Sequence, residues 1–278
     1  MLENVLGLLT SKGGGDFLAI AHTLVESGYR IGALVVDARW FLPQSRPRVF
    51  VVAVQNDVQI PTALMREAAE EPRAPSRLRA VEARLPLGER KQWIWWSLPV
   101  PNVRPPRLAD LLEDAPIGVA WDDAVETRRL LNSMSPGNRQ KVELAKVAGQ
   151  RMVGALYNRT RPDADGGRSV KAEVLFDGIS GCLRTPGGGS SRQRLLIVEG
   201  MSLRSRLLSP REGARLMELS ETYKLPARYN DAYHLCGDGV AVPVVRHLAA
   251  HILEPLAKAA RTTATPAIAA ERVLTRPP

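Results

Sequence analysis

Two valine-rich apolar runs, residues 31–36 and 48–54, stand close together with no helical periodicity between them. Each has the length and residue content of a strand bounded by turn signals. Strands joined by a loop rather than a helix pair antiparallel, and Trp40, Phe41 and Pro43 stiffen the loop here. Upstream, Gly13-Gly14-Gly15 precedes Phe17, Ile20, Ala21, Leu24 and Val25, the spacing of one helical face that ends near Gly28. A helix feeding two such strands predicts an α/β unit, with the strand pair at one side of a larger sheet.

Beyond residue 57 the pattern changes. Residues 63–71 read as a helix, and Pro72, Pro75 and Pro86 then break the chain. A Trp93-Ile94-Trp95-Trp96 cluster and four closely spaced prolines (Pro99, Pro101, Pro105, Pro106) lead into helical patterns at 122–134 and 138–147. Residues 151–200 read as short strands and turns, with Asp163 to Gly167 an exposed turn and Leu195 to Val198 a strand. From about 201 helical patterns return. Ser209-Pro210-Arg211-Glu212 is a capping box, in which the serine caps the first turn and the glutamate reaches back. Val244, Leu248 and Ile252, with Val245, Ala249 and Leu253, define a last amphipathic helix expected to stop at Pro255 or soon after. Residues 261–278, rich in Thr, Ala and Pro, have no sustained face and read as a disordered tail. The expected divisions are an α/β part at 1–75, a smaller domain at 76–200 and a helical segment at 201–260 that returns to the first part.

Charge narrows the function classes. The 278 residues carry a net +9, with a sequence pI near 10.0, a balance that favours a polyanionic partner. No uninterrupted apolar run has the length of a membrane span, and the start lacks a signal-peptide pattern. The two cysteines, Cys182 and Cys236, make neither a metal-ligand spacing nor a disulfide framework, so a reduced, cytoplasmic protein is expected. His247 and His251 are the one helical histidine pair, and without a nearby acidic or cysteine ligand they read as surface groups.

Four blocks carry the chemistry: Glu3-Asn4-Val5; Gln44-Ser45-Arg46-Pro47-Arg48; Arg206 to Glu212; and Gly237-Asp238-Gly239-Val240-Ala241-Val242-Pro243. In that order they resemble the later motifs of the DNA (cytosine-5)-methyltransferases. The resemblance implies the C-terminal part of a Rossmann-like methyltransferase sheet with an inserted target-recognition domain. It implies that Glu3 meets the N3 and N4 edge of a flipped cytosine and that Arg48 meets O2, while Arg46 shapes the nucleophile's surroundings. A carboxyl group at that edge stabilises the charge that develops when a nucleophile adds to C6. Arg46 and Arg48, at i and i+2 on the way into a strand, are expected on one face. Gly237, Asp238, Gly239 and Val240 match the wall of the S-adenosylmethionine pocket, with Asp238 replacing the usual asparagine by a side chain that only accepts. The glycine-rich stretch around Arg184, Thr185, Ser190, Ser191, Arg192 and Gln193 resembles the DNA-reading region, since glycines allow close approach and these side chains reach phosphates and base edges.

The family's glycine-rich cofactor motif and Pro-Cys nucleophile loop would precede Glu3. Cys182 follows a glycine, not a proline, and both cysteines read as buried small hydrophobes. The resemblance therefore implies a methyltransferase portion acting on double-stranded DNA, inactive until a partner chain supplies those motifs. A non-catalytic DNA-binding module and a truncated gene remnant are the alternatives.

Overall fold

The computed structural model describes residues 1–162, 166–184 and 192–261. It is a mixed α/β protein, as expected, and its chain divides into two compact units. The first comprises residues 1–37, 47–102 and those from 244 onward; the second comprises 38–46 and 103–243. Contacts thus group residues 76–102 with the first unit and 201–243 with the second, away from the divisions at 75 and 200 that composition suggested.

In the first unit, β1 (Leu2–Val5), β2 (Tyr29–Asp37) and β3 (Pro47–Gln55) form a sheet in the order β1-β3-β2, antiparallel throughout. The proline at the head of β3 occupies the strand position that best tolerates a missing N–H. Helix α1 (Gly15–Glu26) lays Phe17 and Ala21 on this sheet, against Ile31, Val49 and Val51. Residues 63–71 are not the expected helix. They form a short 3-10 turn at Thr62–Leu64 and a strand, β4 (Met65–Arg66), paired with β5 (Trp95–Trp96). The helix lies later, as α2 (Ser76–Glu82), because Pro75 rather than Ala63 provides the start. The short α3 (Leu87–Arg90) follows.

In the second unit, β6 (Met152–Pro162), β7 (Arg168–Leu175), β8 (Arg194–Glu199) and β9 (Ser202–Leu207) form an antiparallel sheet in the order β7-β6-β8-β9. Helices α4 (Ala124–Asn132) and α5 (Pro136–Lys146) and the link between them cover it with Leu130, Val142 and Met134. The strand β9 replaces the helical reading of residues just after 201, since all six of its residues pair with β8 in a tight hairpin rather than closing helical turns. The sequence Arg204-Ser205-Arg206 hides this, because Ser205 and Arg206 are fully buried polar residues in an otherwise apolar setting.

The capping box forms as read. The Glu212 N–H donates to Ser209 Oγ at 3.1 Å, and Ser209 N–H donates to Glu212 Oε2 at 2.8 Å, opening α6 (Pro210–Arg215). Helix α7 (Tyr229–Asp238) follows. The last helix starts at Val242 and does not stop at Pro255. It passes through a π turn at Ala249–Leu253 and continues to Arg261. In a regular helix the Pro255 ring would strike the carbonyl four residues back, and a widened turn immediately upstream relieves that clash. Residues 229–261 also reach the length and mean hydropathy, 1.2, of a membrane span, which the uninterrupted runs did not reveal. The helical geometry is broken at 239–241, and Val244, Leu248 and Ile252 are buried inside the protein. The expected turn at 163–165 and the tail from 262 lie outside the described residues.

Candidate functional site

In the first unit, β1 and β3 bring two of the expected catalytic residues together. The register sets Glu3 opposite Phe50 and Val5 opposite Arg48, so Glu3 and Arg48 are diagonal neighbours on one face. The Arg48 Nε–H donates to Glu3 Oε1 at 2.9 Å, and Nη1 donates to the Pro47 carbonyl at 3.1 Å. The Glu3 side chain retains 25% exposure and that of Arg48 13%, so the pair stays within reach of a ligand. A carboxylate beside a guanidinium offers one acceptor site and several donors. That set complements the cytosine edge, where the N4 amine donates and O2 accepts.

Arg46 behaves differently. It precedes β3 rather than lying in it, so strand alternation does not place it with Arg48, contrary to the expectation from i, i+2 spacing. In the second unit its guanidinium is 3% exposed and is spent on backbone. Nη1 donates to the Leu183 carbonyl at 3.1 Å; Nη2 donates to the Gly237 and Gly239 carbonyls at 3.0 and 2.6 Å. Gln44, wholly buried, donates from Nε2 to the Leu216 carbonyl at 2.6 Å and accepts from the Leu183 N–H at 3.2 Å.

The Gly237-Asp238-Gly239-Val240 block closes helix α7. Gly237 is buried, whereas Asp238 and Val240 are exposed. A Cβ at Gly239 would sit 2.9 Å from the Leu235 carbonyl, which explains the glycine. The turn presents a carboxylate and an apolar side chain outward, a set that accepts from an amine or hydroxyl and packs on a ring. Those groups suit one wall of a pocket for S-adenosylmethionine, with Asp238 supplying acceptors only.

Of the expected DNA-reading residues, Arg184 is exposed. Arg192 donates from Nη2 to Asn230 Oδ1 at 2.7 Å and lies over the Tyr229 ring, 5.8 Å from its centroid. Gln193 is corrected by the structure: it is 4% exposed, and its side-chain amide donates to the Leu156 and Arg194 carbonyls at 3.1 and 2.8 Å. It heads β8 and faces the interior, so it reads no base. Thr185, Ser190 and Ser191 lie outside the described residues.

Cys236 is too enclosed for the nucleophile's role, and Cys182 follows Gly181 where the family's nucleophile follows a proline. Cys236 is 1% exposed, and burial pushes its thiol up to about 11. Cys182 is only half-buried, less than its sequence context implied, and its thiol donates to the Leu183 carbonyl at 3.3 Å and accepts from Arg46. A reactive cysteine needs a lowered pKa and access. The His247 and His251 rings are 4.4 Å apart, and His247 Nε2 donates to the Pro99 carbonyl at 3.0 Å. Burial lowers the pKa of His247. Among the described residues no cluster of three or more His, Cys, Asp or Glu suits a metal ion.

The two ends of the Arg206–Glu212 block pair inside the second unit, a role the sequence motif did not show. Arg206 and Glu212, both fully buried, form a two-pronged ion pair at 2.7 and 2.6 Å. Arg206 also lies over the Trp121 ring at 5.1 Å. Tyr233, 2% exposed, accepts the Gln193 N–H at 2.8 Å. The six-residue spacing of Arg206 and Glu212 is visible in the sequence, but nothing local says that the two side chains meet in the interior.

Residues 1–254 match the C-5 cytosine-specific DNA methylase family, and the chain belongs to that family. It is 24% identical over 266 residues to the type II methyltransferase M1.ScrFI of Lactococcus lactis subsp. cremoris, covering 93% of this chain and 52% of that protein. It is 26% identical over 217 residues to the orphan methyltransferase M.SPBetaI of Bacillus phage SPbeta, covering 77% and 45%. A stretch of 57 residues is 42% identical to the type II methyltransferase M.BspRI of Lysinibacillus sphaericus, covering 20% and 13%. Among solved structures, the Dnmt2 methyltransferase of S. pombe matches 91% of this chain and 66% of its own, with 19% identity and a TM-score of 0.45. The chain spans about half the length of the first two relatives.

Proposed function

We propose that this chain carries the cytosine-edge and target-recognition functions of a DNA (cytosine-5)-methyltransferase. The observation that carries the reading is the Glu3–Arg48 pair, drawn from two separate motifs and set 2.9 Å apart on one accessible sheet face. A cytosine extruded from the duplex exchanges the mutual contact for its own: Glu3 takes the N3 and N4 edge, and Arg48 donates to O2. As a thiolate adds to C6, negative charge grows on the N3–C2–O2 side; Arg48 stabilises it by donating to O2, and Glu3 does so by passing a proton to N3. The methyl group comes from S-adenosylmethionine, to whose pocket Asp238 and Val240 contribute one wall. Arg184 and Arg192 flank the segment that meets DNA, inside the cell, where the substrate is.

Since Cys182 and Cys236 are unsuited to the attack, the nucleophile and the glycine-rich cofactor motif come from outside these residues. A partner chain, or further sequence contiguous with this one, supplies them. The test is reconstitution with a chain bearing both motifs, measuring methyl transfer from labelled S-adenosylmethionine to mixed-sequence duplex. Transfer is expected from the complex and not from this chain alone, and Arg48→Ala is expected to abolish it while the complex persists. Transfer by the isolated chain that Cys182→Ala removes would overturn the reading. DNA binding without transfer in any reconstituted complex would make the chain a non-catalytic DNA-binding module.

A further inference from the structure

Helix α7 ends at Asp238, and the chain turns there because Gly239 takes an extended conformation, with φ −66° and ψ 164°. A helix that stops leaves its last carbonyls without donors of its own. The Leu235 carbonyl accepts the Gly239 N–H at 3.0 Å, and a Cβ at Gly239 would come within 2.9 Å of that same oxygen. The Gly237 and Gly239 carbonyls are met from outside the helix, by Nη2 of Arg46 at 3.0 and 2.6 Å. A guanidinium suits this place, since it answers orphan carbonyls and brings positive charge to the negative end of the helix dipole. Its other terminal nitrogen, Nη1, is anchored on the Leu183 carbonyl at 3.1 Å. The turn has a second support. Gln44 donates to the Leu216 carbonyl, and the neighbouring Met217 carbonyl accepts the Val242 N–H at 3.1 Å, where the chain leaves the turn. Asp238 and Val240, the exposed side chains of the turn, flank the Gly239 carbonyl that Arg46 holds.

We propose that Arg46 is a positioning residue for S-adenosylmethionine. It fixes the turn from which Asp238 and Val240 face the cofactor, and itself touches neither the cofactor nor the reacting atoms. The inference rests on the reading of that turn as one wall of the cofactor pocket. It departs from the role beside the nucleophile that the family resemblance implies for Arg46. A guanidinium that is 3% exposed and shared among three carbonyls and the Cys182 thiol has no accessible edge for a base or an incoming thiolate. Arginine serves here where lysine would not, because two nitrogens of one rigid plane reach two separate chain segments at once. Loss of that span lets the turn shift while Asp238 and Val240 keep their chemistry, so the cofactor is held less tightly.

The hold on the turn is read on the full chain without ligand, by amide hydrogen exchange. Arg46→Lys keeps the charge but offers a single nitrogen. Exchange at Gly239 and Val242 is expected to rise about tenfold while the β6–β8 ladder keeps its protection. Cofactor affinity is read on the complex reconstituted with a chain bearing the glycine-rich and Pro-Cys motifs, by equilibrium binding of labelled S-adenosylmethionine. Arg46→Lys is expected to weaken that binding about tenfold, the order of one charge-assisted hydrogen bond. In turnover, KM for S-adenosylmethionine is expected to rise by a larger factor than kcat falls. A fall in kcat with cofactor affinity and KM unchanged would overturn the inference and return Arg46 to the nucleophile's side. Unchanged exchange in the turn, or protection lost throughout the β6–β8 ladder, would overturn it as well. Should Arg46→Lys fail to fold, Gly239→Ala strains the same turn with Arg46 intact. It is expected to weaken cofactor binding to a similar extent, and unchanged affinity there also defeats the inference. Asp238→Ala tests the reading beneath it. If that variant binds the cofactor as the wild type does, or the wild-type complex binds none, the cofactor-wall reading falls, whatever Arg46 does to the turn.

Discussion

The two units each contain an arginine–glutamate pair at hydrogen-bond distance, and the pairs do opposite work. Glu3 and Arg48 meet across adjacent strands at 2.9 Å with part of each side chain exposed. Arg206 and Glu212 meet at 2.6 and 2.7 Å with none. An accessible pair is weakly held, because water competes for both partners, so it can release its groups to a ligand at little cost. A sealed pair has no such freedom. Glu212 also accepts from the Glu113 and Ser209 N–H groups, at 2.9 and 2.8 Å, so its carboxylate anchors three segments of the second unit. The same two residue types thus make an accessible pair in one place and a sealed joint in the other, and solvent access separates the two.

Breaking the sealed pair gives the largest expected effect. Glu212→Ala strands a buried guanidinium and is expected to destabilise the second unit by about 3–5 kcal/mol, read by urea unfolding. Replacing both partners with apolar residues of similar volume, Arg206→Met with Glu212→Leu, is expected to cost much less. If single and double variants lose equal stability, the hydrogen bonds to Glu113 and Ser209 matter more than the pair.

Alkaline pH separates the units next. Burial raises the Cys236 thiol to about 11 and the Tyr157 and Tyr233 phenols to about 12, and it raises Tyr229 as well; all four lie in the second unit. In the unfolded chain the thiol ionises from about pH 9. Its folded pKa is raised, so its contribution is complete below pH 9 and is lost as pH rises toward 11, about 3 kcal/mol in all. The tyrosines extend the loss from about pH 10 upward. Cys236→Ala is expected to delay the onset of the second unit's alkaline melting to about pH 10, followed by near-ultraviolet circular dichroism. An unmoved onset would mean that the thiol is less enclosed than its 1% exposure states.

Ser209→Ala removes the helix cap and is expected to cost about 1 kcal/mol. A much larger loss would show that its contact with Glu113 outweighs the cap. Least of all, Glu3→Gln is expected to change stability by less than about 0.5 kcal/mol, while methyl transfer in the complete enzyme falls by about a hundredfold or more. A stability loss as large as that of Glu212→Ala would erase the contrast between the pairs.

Much of the frame was legible before any coordinates. Helix α1 and strands β2 and β3 follow from apolar spacing, because their burial depends on neighbours a few residues away. The Ser209–Glu212 cap is wholly local, and it forms as written. Family membership rode on short ordered motifs, which persist in sequence whatever the fold does around them. The misreadings have different causes. Residues 202–207 look polar and became a strand because Arg206 finds Glu212 inside the protein. Pro255 looks like a stop, yet the helix absorbs it through a π turn.

The sequence by itself determined the α/β class, helix α1, the Ser209–Glu212 helix cap, the motif order and hence the family. Tertiary structure alone decided what each motif residue does. Arg46 and Arg48 are two positions apart, yet one serves carbonyls 137 to 193 residues away and the other meets Glu3. Gln193 reads as a surface donor until its amide is found bonded to Leu156. The reason is physical. A backbone's preferences are set by adjacent residues, but whether a polar side chain faces water or a buried carbonyl depends on which distant segment closes over it, and no local spacing encodes that.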